Sequence, residues 1–188
     1  SNAIGQGDVE TTPIQLANFT AAIANKGFFY TPHILKKVAG EAIKNKKYTV
    51  PKKTSIAAKH FEPIIEAMHE VFKTGTGKSS QIKGIEICGK TGTVENSIKI
   101  IDGVKTQAPD HSILVAFAPK DNPKIAIAVF VENGGYGSTI AAPISSLIIE
   151  KYLTEKISKP LVEKRILALS LQEVYDKQKS KEIAPGTK

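Results

Sequence analysis

Two nearly continuous apolar runs joined by one turn constrain this chain most. Ile113-Leu114-Val115-Ala116-Phe117 and Ile125 to Val131 flank Lys120-Asp121-Asn122-Pro123. The Asp, Asn and Pro between them are turn chemistry. Strands with one solvated face alternate apolar and polar residues, and these do not. The runs therefore predict a hairpin, strands 112–118 and 125–131, covered on both faces.

The covering segments read as helices. Residues 8–27 form the first, with Thr11 or Thr12 as cap, Pro13 at the first helical position and Gly27 just past the end. Ile14, Ala17 and Ala21 make its apolar stripe, widened by Leu16, Ile23 and Ala24. Residues 56–72 form the second, firm from Pro63 onward. There Ile64, Ile65, Met68, Val71 and Phe72 share one face. A third helix is expected from about Thr139 to Leu153, and beyond Pro160 an amphipathic one with Leu161, Val162, Arg165, Ile166 and Leu169. Phe28 to Val38 reads as extended around Thr31-Pro32. Residues 39–53 read as a loop or weak hairpin, 95–110 as a polar loop, and 176–188 as a frayed tail.

With 188 residues, the chain can bury roughly 70% of its unfolded surface as one domain. No apolar run approaches the roughly 20 residues that span a bilayer, and no signal peptide is visible. Ser1-Asn2-Ala3 reads as an expression-tag remnant. The net charge of +8 admits an anionic polymer or membrane surface as partner. Its lysines gather at Lys36-Lys37, Lys44 to Lys47, Lys52-Lys53 and the C-terminal tail, and tryptophan is absent. That arrangement suits a solvated surface and argues against nucleic acid. Cys88 is the only cysteine, so no internal disulfide forms. It reads as a small buried strand residue.

Ile85-Glu86-Ile87-Cys88-Gly89 alternates like a strand and leads into Lys90-Thr91-Gly92-Thr93. This places a cation, two hydroxyls and a glycine on an accessible edge, a surface suited to a peptide ending in a carboxylate. Other candidate motifs fall away. Thr74 to Ser79 resembles a phosphate loop, but Phe72 stands where its first glycine belongs, and the segment follows a helix instead of a strand. Ser80-Gln81-Ile82-Lys83 has the spacing of a serine nucleophile and its lysine base. That pair needs a helix start, and Gly84 interrupts it. His33, His60, His69 and His111 form no metal-ligand spacing, so neither metal nor cofactor is expected. Asp110-His111 lies at the mouth of a strand beside Lys90 to Thr93, with His111 expected to bond Asp110.

Several of these segments, in order, resemble the class B penicillin-binding proteins. Ile4-Gly5-Gln6-Gly7 followed by Thr12-Pro13-Ile14-Gln15-Leu16-Ala17 is similar to their "IGQG…TPLQLA" stretch. Gly89 to Thr93 resembles their third active-site motif, a Lys-Thr-Gly on a strand. Ala116-Phe117-Ala118-Pro119 is similar to their "AFAP" strand and Val131 to Gly135 to the "ENGG" after it. The likeness covers about residues 4–155 and is greatest to the elongation-type members.

The resemblance implies an α+β fold, an antiparallel sheet with helices on both faces, truncated here at its N-terminus. It divides the chain into the C-terminal part of a transpeptidase domain, 4–158, and a C-terminal helical extension and tail, 159–188. It implies acyl transfer: a serine attacks the bond between two terminal D-alanines of a peptidoglycan stem, and the acyl group passes to a neighbouring stem's amine. Lys90 and Thr93 would be catalytic, the Thr93 backbone N–H serving as an oxyanion-hole donor worth about 3–4 kcal/mol. Thr91, Gly92 and Thr93 would bind the substrate, with Gly92 admitting its backbone closely. Asp110 and His111 would form a second tier. The family's Ser-x-x-Lys and Ser-x-Asn precede the Ile-Gly-Gln-Gly segment, so the chain is expected to be an inactive, soluble fragment.

Its parent would be anchored in the inner membrane with this part in the periplasm. Partners would be stem peptides, β-lactams, a glycosyltransferase and elongation-complex membrane proteins. The exposed sheet edge of the fragment would favour self-association. Two alternatives are a basic, non-catalytic binding module and a fragment of a β-lactamase-type hydrolase.

Overall fold

The computed structural model describes residues 5–96, 98–101, 104–172 and 175–176. The expected tag remnant at 1–3 and the tail beyond Asp176 lie outside them. The chain divides into two compact units. One holds Glu10–Lys90 and Val115–Ala128; the other holds the described parts of Ser1–Val9, Thr91–Leu114 and Val129–Lys188.

The first unit opens with α1, Pro13–Ala24. Thr12 and Gln15 form a reciprocal capping box: Thr12 N–H donates to Gln15 Oε1 at 2.8 Å, and Gln15 N–H to the Thr12 hydroxyl at 3.4 Å. Pro13 disfavours helical backbone at Thr12, so the helix begins five residues later than expected. It ends at Ala24 because Lys26 and Gly27 take φ of 55° and 110°. The buried residues are Thr20, Ala22, Ile23 and Ala24. The expected stripe is displaced: Ile14, Ala17 and Ala21 line an open groove of about 350 Å³, and Ile14 is 59% exposed.

Four short strands and one short helix follow. β1, Phe28–Phe29, pairs antiparallel with β4, Lys52–Lys53. Between them β2, Lys37–Val38, pairs with β3, Glu41–Ala42, and α2 spans Lys46–Thr49. The expected weak hairpin is thus present. α3, Glu62–Lys73, carries Pro63 in its first turn and buries Ile65, Met68 and Phe72. Ile64 faces outward, contrary to expectation, because the buried stripe follows the i, i+3, i+7 positions from Ile65. Gln81 Nε2 closes the helix end by donating to the carbonyls of Phe72 at 2.6 Å and Lys73 at 3.2 Å.

Three strands run through both units: β5, Cys88–Val94; β8, His111–Ala118; and β9, Ile125–Val131, in the order β5-β8-β9. Gly89 lies against Ala116 and Gly92 against Ile113, so β5 and β8 are antiparallel. In the first unit Ile23, Ala24, Phe61, Ile65, Met68, Cys88 and Phe117 form the core. Burial pushes the Cys88 thiol up to about 12, so it is a protonated packing residue. β8 alternates between buried and half-buried residues and ends fully buried. β9 is half-buried along nearly its whole length. The hairpin of apolar strands is therefore present, but only β8 is covered as expected.

The segment expected as a polar loop at 95–110 instead contains a hairpin. β6, Ile98–Ile101, pairs with β7, Val104–Gln107, with Ile101 opposite Val104. Average polarity hid two four-residue strands, each carrying β-branched residues. Downstream come α4, Ala141–Thr154, and α5, Pro160–Leu167. They share an apolar cavity of about 460 Å³ lined by residues including Ile144, Ile148, Ile157 and Ile166. α5 buries none of its residues fully. Glu150 of α4, 6% exposed, accepts the Ser158 N–H at 3.1 Å.

Lys120 Nζ lies 2.7 Å from Glu66 Oε1, within the first unit. That hydrogen bond holds the Glu66 carboxyl below its usual range and the ammonium above its own. A carboxyl depressed in the folded state stabilises above its unfolded pKa, about 4.3, and loses that contribution as pH falls through its folded value. Glu66→Gln should therefore lower the melting temperature slightly at neutral pH and not at about pH 2–3. An equal deficit at both pH values would show that the carboxylate charge is irrelevant.

Candidate active site

Lys90 to Thr93 sit within β5, where Lys90 is exposed and Thr91, Gly92 and Thr93 are half-buried. A Cβ built on Gly92 would meet only Ile113, at 3.5 Å. This is ordinary contact, so packing within the chain does not require glycine there. Gly89, three residues earlier, is the opposite case. Its Cβ would fall 2.7 Å from the Val115 carbonyl oxygen and 2.8 Å from the Phe72 ring.

In the second unit, residues 133–140 lie against the motif strand. A Cβ on Gly137 would strike the Ile113 carbonyl oxygen and come within 2.5 Å of the Gly92 oxygen. Only glycine lets the two backbones approach so closely. The Gly137 N–H points to Thr93 Oγ1 at a long 3.5 Å. With Oγ1 as acceptor, the Thr93 hydroxyl keeps its own proton to donate.

Asp110 and His111 do not bond each other as expected. The His111 Nδ1 accepts the Asn133 N–H at 3.0 Å, which puts the ring proton on Nε2 in the neutral form. Its ring stands 5.3 Å from that of Phe130. Asp110 Oδ1 accepts the Asn96 N–H at 3.1 Å, and its carbonyl accepts the Gly135 N–H at 2.7 Å. Asn96 Nδ2 in turn donates to Asn133 Oδ1 at 2.6 Å. Both residues thus anchor the start of the 133–140 loop. The reason lies in Asn133, whose φ of 55° turns the chain and aims its N–H at the imidazole.

Ser112 was not singled out by the sequence. It is fully buried, its hydroxyl donating to the Tyr136 carbonyl at 3.0 Å and accepting the Ala141 N–H at 3.1 Å. Its only sequence signal is a polar letter opening an apolar strand. Ser80 ends a three-residue 3₁₀ turn, with extended backbone at Gln81, so no helix brings Lys83 one turn from it. Among the described residues no group of three or more His, Cys, Asp or Glu side chains could hold a metal ion. No helix among them is long and apolar enough to cross a membrane.

Comparison with known proteins finds relatives in sequence and in fold. The peptidoglycan D,D-transpeptidase MrdA of Haemophilus influenzae is 33% identical over 177 residues, 87% of this chain and 27% of the relative. Pseudomonas aeruginosa PBP2, solved in complex with WCK 5153, superposes with a TM-score of 0.66 at 32% identity, covering 81% of this chain and 32% of that one. Penicillin-binding protein A of M. tuberculosis, solved as an imipenem acyl-enzyme, does so with 0.64 at 34% identity, covering 81% and 33%. The chain spans about a quarter of the length of the curated relatives it matches. The fold is accordingly that of these transpeptidase domains, mixed helices and antiparallel sheet. The family model described as "Penicillin binding protein transpeptidase domain" matches residues 1–150, and the chain belongs to that family.

Proposed function

We propose that this chain is the C-terminal part, residues 4–158 with an extension at 159–188, of a serine peptidoglycan D,D-transpeptidase of the penicillin-binding protein 2 type. The observation that carries this is the site strand itself. An exposed Lys90 is followed on β5 by a glycine whose side-chain space the fold leaves open and by Thr93, braced by Gly137. In the parent a serine outside this chain would attack the D-alanyl-D-alanine carbonyl, expelling D-alanine and forming an ester. An amine from a neighbouring stem would then attack the ester and release the serine. Lys90 and the Thr91 and Thr93 hydroxyls would hold the terminal carboxylate. The Thr93 N–H would stabilise the oxyanion. Asp110 and His111 would act only by holding the loop. The match to the transpeptidase model favours this over a basic binding module.

The same proposal places the parent in the inner membrane, facing the periplasm, beside a glycosyltransferase and other elongation proteins. It also expects the isolated chain to self-associate along half-exposed β9, seen as concentration-dependent sedimentation. Because nucleophile and base lie elsewhere, labelled penicillin should leave no covalent adduct on this chain. An adduct on Ser80, or on any serine, would overturn the fragment reading.

A further inference from the structure

We propose that Ser112 is a positioning residue for Thr93, acting through the loop 133–140; the inference rests on the role assigned to Thr93 above. One buried hydroxyl grips the loop on both sides of Gly137: it donates to the Tyr136 carbonyl at 3.0 Å and accepts the Ala141 N–H at 3.1 Å. α4 has no side-chain cap from Ile140, its own N-cap residue, so Ser112 caps it from β8. Gly137, held between these two bonds, lies in backbone contact with Gly92 and sets its N–H on Thr93 Oγ1. The loop's other end is held by Asn133 on His111 and Gly135 on Asp110. Loss of the Ser112 hydroxyl would leave the buried Ala141 N–H without its acceptor, while the Tyr136 carbonyl would keep only its local bonds from the Thr139 N–H and hydroxyl. The loop would shift to rehydrate that N–H, carrying Gly137 off Thr93.

The test is a double-mutant cycle on β-lactam acylation of the full-length parent. Ser112→Ala should slow acylation about tenfold, and should slow it no further in a Thr93→Val background. Equal slowing in both backgrounds would make Ser112 merely structural and overturn the proposal, as would normal acylation of Ser112→Ala. Should Ser112→Ala fail to fold, Ser112→Cys, with its weak S–H donor, enters the same cycle under the same criteria. A second measurement stands apart from catalysis. In this chain the Gly137 amide should exchange faster with solvent in the serine variant than in wild type, and unchanged exchange would overturn the clamp. A wild-type parent that takes no label, beside a clamp confirmed by exchange, would instead sink the transpeptidase reading.

Discussion

Gly89→Ala should destabilise the chain by about 2–3 kcal/mol, whereas Gly92→Ala, three residues along the same strand, should change stability by under about 1 kcal/mol. The added methyl at 89 has nowhere to go. It would press on the Val115 carbonyl, on the Phe72 ring and on Ala116, at 2.7, 2.8 and 2.9 Å. Phe72 is only 2% exposed and cannot swing into solvent. At 92 the same methyl finds Ile113 at 3.5 Å, and removing a glycine from a strand returns some backbone entropy. Urea midpoints at constant m-value separate the two. A Gly89→Ala chain as stable as wild type would show that β5 and α3 are less tightly seated than described.

Lys90→Ala in the full-length parent should reduce β-lactam acylation by about 10²–10³ with its melting temperature nearly unchanged. The asymmetry follows from placement. Lys90 is exposed on β5, so it contributes little to packing. On the proposed reading its ammonium faces the carboxylate shared by stem peptide and drug. Lys90→Arg should rescue only in part, since a planar fork replaces a compact point charge. Acylation at the wild-type rate in Lys90→Ala would remove this residue from the site.

Elements with strong local signals were legible in advance. The apolar hairpin, the Thr12 cap with Pro13, and the late start of α3 at Pro63 each rest on one local rule, and each stands close to its expected place. β6 and β7 escaped because four-residue strands look like loop when only polarity is weighed. The stripe on α1 was misjudged for another reason. Periodicity says that Ile14, Ala17 and Ala21 share a side but not what covers it, and here that side lines an open groove. Within the candidate site, Lys90 to Thr93 announced themselves by motif. Ser112 and Gly137 could not, since their importance lies in backbone atoms 20 to 45 positions away. His111 illustrates the same limit: adjacency suggested Asp110 as its partner, and the fold supplied Asn133.

The three glycines of the site region predict different histories among related sequences. At positions 89 and 137 the fold itself forbids a side chain, so any relative sharing this architecture should keep glycine whether or not it retains chemistry. Position 92 is free of that constraint. Lineages that lost the reaction should drift there first, to alanine or serine, while still folding normally. Variation at one residue against constancy at the other two would thus distinguish active from retired copies of this domain without an assay.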